Sequence, residues 1–130
     1  MFTMATQIID EFDKVRKASE KAIERSHKRG GFLVRSAAVA SIDRSEGPSR
    51  QGSPPHTHKG NWLRRAIRYA ADFAGAVIGP MFSIFDTTGE AHEFGKMFRG
   101  RKYPPRPFMG PALEATSDQF AGTFKGSIGE

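Results

Sequence analysis

Four of the chain's eight prolines fall in one short stretch, Tyr103-Pro104-Pro105-Arg106-Pro107-Phe108-Met109-Gly110-Pro111-Ala112-Leu113-Glu114. Proline fixes φ and donates no backbone hydrogen bond, so this stretch is neither helix nor central strand. It is a stiff extended strap that aims one aromatic, Phe108, and then launches a helix. Gly110 stands where an N-cap is expected. Pro111 stands at the first helical position, where a missing N–H costs nothing. A device of this kind positions or docks; it does not supply reactive groups.

Length bounds the rest. The 130 residues suit one domain, 1–130, with a modest core. Only 38% of residues are hydrophobic, while glycine and proline together number 14 and 8. Long irregular loops, or burial completed against neighbouring subunits, account for both. Eleven phenylalanines against two tyrosines and one tryptophan supply the large apolar anchors. With no cysteine, disulfides, thiolate nucleophiles and cysteine zinc sites drop out. No apolar run has membrane-spanning length, and the first residues lack a signal-peptide core, so the expectation is a soluble intracellular protein without a membrane partner.

The net charge of +6 is unevenly placed. Residues 1–30 are mixed, whereas 44–68 and 96–106 are strongly basic. The excess therefore lies in loops and beside strands, not along a helix face shaped for a DNA groove. A solvated or partner-facing basic rim outweighs nucleic-acid binding, although Trp62, Tyr69, Phe98 and Tyr103 interleave the arginines as single-strand binders require.

Apolar residues at Ile8, Ile9, Phe12, Val15, Ala22 and Ile23 recur at helical spacing over 5–29, with Asp10–Lys14 and Asp13–Lys17 as acid-first pairs. Gly30-Gly31 interrupts, and Phe32 to Ile42 resumes the pattern in phase. This favours one near-continuous helix, with the glycines kept for close backbone packing at a cost of roughly 2 kcal/mol relative to alanine. Residues 43–61 form a long loop by composition. Trp62, Leu63, Ala66 and Ile67 suit a short helical turn. Ile67 to Ala71 and Ala74 to Gly79 suit an antiparallel hairpin ended by Pro80. Thr87 to Phe94 reads as a short helix stopped by Gly95. A basic loop, 96–102, leads to the strap, so that loop and strap together occupy 96–110. Pro111 to Phe124 is the last helix, with Leu113, Ser117, Phe120 and Phe124 on one face. A frayed tail, 126–130, follows.

The chemical candidates are few. His56-Thr57-His58 has a metal-like spacing, but a proline-flanked loop without acidic or thiol neighbours makes a structural role the stronger expectation. His92-Glu93 lacks the second histidine of a zinc helix, since Lys96 stands four residues on. There is no nucleophile elbow, no phosphate-binding glycine loop and no nominated carboxylate pair. Catalytic, cofactor-binding and metal-ligating residues are all read as none.

Three blocks carry a resemblance. The first is Ser53-Pro54-Pro55-His56-Thr57-His58-Lys59-Gly60-Asn61-Trp62-Leu63-Arg64-Arg65-Ala66-Ile67. The second is Val77-Ile78-Gly79-Pro80. The third pairs Ala91-His92-Glu93-Phe94-Gly95 with Arg106-Pro107-Phe108-Met109-Gly110-Pro111-Ala112-Leu113-Glu114. Their order, over roughly 5–124, resembles the head–tail joining or tail-completion family of long-tailed bacteriophages. The intervening loop, Lys96–Tyr103, is more basic than that pattern has it.

The resemblance implies an α+β fold, with a long N-terminal helix packed on a small antiparallel β-sheet, a short helix and a C-terminal helix. It also implies a homo-oligomeric ring, taken as a hexamer, in the neck of the virion and assembled in the host cytoplasm. Its partners would be the neck or head-completion protein, the tail terminator or tail tube protein, and the genome DNA passing through the lumen. The alternatives are a tail terminator of the same tail, or a small basic nucleic-acid-binding module. On this reading the interface residues are Pro54, Pro55, His56 and Trp62 in the long loop. Phe94, Pro107 and Phe108 lock the strap on the sheet. Arg64, Arg65, Arg99, Arg101, Lys102 and Arg106 face a partner or the lumen.

Overall fold

The computed structural model describes residues 3–57, 60–81, 88–98 and 100–127. Helix α1 runs unbroken from Met4 to Ser41 and is capped by the Thr3 side chain, which accepts from the Thr6 N–H. Helix α2 is Trp62–Ala66, and strands β1 (Ile67–Ala71) and β2 (Ala76–Pro80) follow it. Helix α3 is Thr88–Phe94, strands β3 and β4 are Lys96–Phe98 and Arg101–Tyr103, and helix α4 is Met109–Gly122. The order is mixed α+β, with the long helix packed on a two-stranded antiparallel sheet and on the C-terminal helix.

The expected hairpin is present. Ile67 faces Pro80 and Ala71 faces Ala76 across it. The Asp72 carboxylate closes its turn by accepting from the N–H groups of Ala74 and Gly75. The stretch 96–102 is a correction. It is not a loop but a second antiparallel hairpin, with Lys96 facing Tyr103 and Phe98 facing Arg101. Gly100 takes φ +75° in its turn, a conformation that glycine adopts without strain.

The twin glycines behave as close-packing residues. A Cβ on Gly30 would stand 2.1 Å from Phe120 Cδ2, and one on Gly31 would stand 2.7 Å from Tyr69 Cδ2. Around them α4 runs antiparallel to α1. Ser26 Oγ donates to the Thr123 carbonyl, and Thr123 Oγ1 returns a bond to the Ser26 carbonyl. Ala112 and Thr116 form the buried stripe of α4. The expected face of Leu113, Ser117, Phe120 and Phe124 is not the buried one: Leu113 and Ser117 are exposed, because the face turned to α1 runs through Ala112 and Thr116, one position away. The chain past the helix does not fray at once. Ser127 is buried, and its carbonyl accepts from Arg25.

One core cluster holds the body together: Ala38 from α1 and Ile42 just past its end, Leu63 and Ile67 from α2 and β1, and Phe108 and Ala112 from the strap and α4. The apolar residues at the other end of α1 do not join it. Burial on α1 begins at Ala22, whereas Ile8, Ile9, Phe12 and Val15 are all at least half exposed. The sequence pattern predicts a single buried face over the whole helix, but the body is shorter than the helix. The first turns of α1 therefore project as an arm. Their ion pairs are Lys14 with Glu11, and Arg16 with Asp13 and Glu20. Exposed pairs of this kind contribute only a few tenths of a kcal/mol each.

Candidate assembly site

The strap is built around Glu93. This carboxylate, near the end of α3, accepts from three successive backbone N–H groups: Phe108 and Met109 at 2.9 Å and Gly110 at 2.8 Å. These are donors that the start of a helix leaves without intrahelical partners. The next residue, Pro111, has no N–H to satisfy. Helix α4 therefore begins at Met109, two residues before the expected start, with Phe108 rather than Gly110 in the cap position. Phe108 has no capping side chain, so a carboxylate from another helix performs that task.

Gly95 makes the return possible. Its φ of +77° turns the chain out of α3, and a Cβ there would meet the Tyr103 carbonyl at 2.9 Å. The Arg106 N–H donates to the His92 carbonyl. Burial, and then the neighbouring Arg106 guanidinium, hold the His92 imidazole below its ordinary value of 6.5.

The strap is also stitched to the long loop. Arg106 Nε donates to the Ser49 carbonyl at 2.9 Å, and the Gly52 N–H donates to the Pro105 carbonyl at 3.0 Å. Within the loop, Arg44 and Thr57 form an isolated bridge. His56 Nδ1 donates to the Gly47 carbonyl at 2.9 Å, and Pro55 is buried. The long connection thus becomes a compact body ordered by its own backbone bonds and by one arginine.

The expected interface residues divide into three groups. Phe108 is completely buried, Pro55 is buried, and Pro54, His56, Arg106 and Pro107 are half-buried around the strap. Arg65 stacks its guanidinium 5.2 Å above the ring of Trp62, which is itself 57% exposed, and Arg64 beside them is half-buried. Arg101 and Lys102 stand exposed on the second hairpin. One expectation is corrected. Phe94 is 75% exposed and does not lock the strap, because Glu93 takes the inward position at the end of α3. Trp62 lies against Gly60 at the end of the long loop, with its outer face paired to a cation. Arg99 and His58 lie outside the described residues.

Sequence reasoning misses Glu93 as a site residue, although its place before Phe94-Gly95 and the run of N–H groups before Pro111 are both visible. Only the fold brings them together, across the sequence separation of 15 from Glu93 to Phe108. Among the described residues, no three His, Asp or Glu side chains gather as metal ligands, and no helix is long and apolar enough to cross a membrane. No family model, curated protein or solved structure matches the chain.

Proposed function

We propose that the chain is a structural assembly subunit, a head–tail connector or tail-completion protein of a long-tailed bacteriophage. In this role it forms a ring of copies and bridges the neck and the tail tube. The observation that carries the reading is the Glu93 clamp. It joins the Glu-Phe-Gly and Arg-Pro-Phe halves of the resembling block into one rigid unit. That unit holds out the basic hairpin, with Arg101 and Lys102 turned to solvent where an acidic neighbour or passing DNA would meet them. Its mechanism is docking, and the tail terminator of the same tail is the nearest alternative role.

Deleting the gene from the parent phage and imaging the lysate tests this. Filled heads beside detached tails of normal length support a joining role. Tails of abnormal length point to the terminator, and intact infectious particles overturn both.

The exposed Trp62–Arg65 stack favours a second reading, a module that binds single-stranded nucleic acid. Binding by the isolated monomer, lost steeply with salt, would move that reading ahead.

A further inference from the structure

We propose that the projecting arm of α1 is a self-association element whose partner is the arm of a second copy, packed antiparallel. Ala5, Ile8, Phe12, Val15, Ser19 and Ala22 follow alternating steps of three and four residues, the spacing of a helix–helix seam. On this face Ala22, and then Ser26 and Gly30, are buried against the body, whereas Phe12 is 71% and Val15 61% exposed. The exposed stripe therefore continues a face that the same helix already uses for packing. Most helical stability in proteins comes from packing an amphipathic face, and this stretch of α1 has no such packing within one copy.

Charge selects the partner. Between Met4 and Lys21 the acids Asp10, Glu11, Asp13 and Glu20 balance the bases Lys14, Arg16, Lys17 and Lys21, in a chain of net charge +6. A neutral arm has no attraction for an anionic lipid surface or for DNA, and two copies of it do not repel each other.

Geometry selects the direction. Helix α4 runs antiparallel to α1 and ends beside Ser26, where Thr123 bonds it. An antiparallel second arm would take over from α4 along the same face, its N-terminus meeting the end of α4 near Phe124. A parallel arm would instead bring two bodies together on the side that each α4 occupies. The pair has two-fold symmetry, so it is a contact of the unassembled protein rather than the contact that closes a ring. It stands whether or not the chain is a neck protein.

Sedimentation equilibrium of the full chain over a wide concentration range tests the pairing. A reversible dimer is expected. Phe12→Glu should be monomeric and lose helix content while its thermal transition is kept. Val15→Ala should weaken the dimer several-fold. The chain has no cysteine, so Lys21→Cys takes a single spin label. Labels about 25–30 Å apart are expected for arms overlapping around Phe12, from the rise of about 1.5 Å per residue. A monomer at every concentration, a dimer indifferent to Phe12→Glu, or arms that bind anionic vesicles without dimerising would overturn the proposal. Labels in near contact would overturn the antiparallel arrangement.

Discussion

Three residues carry most of the local order, and each can be tested singly. Among the described residues Phe108 is the largest fully buried side chain, at the meeting point of α1, α2, β1 and α4. Phe108→Ala should lower the unfolding free energy by about 3–5 kcal/mol in urea titrations, because a thin core has little with which to refill the cavity. Glu93→Ala strands three N–H groups and should cost about 2–3 kcal/mol, with Glu93→Gln costing less because one amide oxygen still accepts. Gly30→Ala should destabilise despite alanine's better helix propensity, since its Cβ would meet the body of the Phe120 ring. Gly122→Ala, with open space around it, should raise stability by about 0.5 kcal/mol. Opposite shifts in melting temperature for the two glycine variants would separate packing from propensity.

At the scale of elements, α3 and the strap respond to pH together. The half-buried His92 imidazole has a lowered pKa, so the unfolded chain binds the proton more readily than the folded one. Stability from this group is complete above the ordinary value of 6.5 and is lost as pH falls through the lowered folded value. His92→Gln should flatten the fall in unfolding free energy between pH 7 and the acid range, measured by denaturant midpoints. Much of the element pattern is legible in the sequence. The phase carried across Gly30-Gly31 indicates one helix, and alternation plus Pro80 indicates the first hairpin. The second hairpin is not legible, because its strands are three residues long and rich in lysine and arginine, which depresses every strand signal. The start of α4 lies two residues from its expected place because its cap belongs to another helix.

At the scale of the whole molecule, the basic excess is spread over the second hairpin, α2 with β1, and the stretch of α1 after Ala22, rather than over the neutral arm. If passing nucleic acid is what this surface meets, Arg101→Glu with Lys102→Glu should reduce single-stranded DNA binding. Its salt slope should flatten by roughly 0.7 for each phosphate no longer neutralised, in fluorescence titrations. The double variant should keep its stability within about 0.5 kcal/mol of the parent's, since both side chains are exposed. By itself the sequence determined the local devices: the stiff strap, the close-packing glycines, the long amphipathic helix and the shortage of core. These follow from backbone constraint and periodicity, which act over a few residues. The tertiary structure alone decided which apolar residues are buried. Phe12 and Phe94 stand in solvent while Phe108 is sealed, although all three are phenylalanines in amphipathic or anchoring positions. Burial depends on whether another element reaches a face, and the body ends at Ala22 while α1 does not.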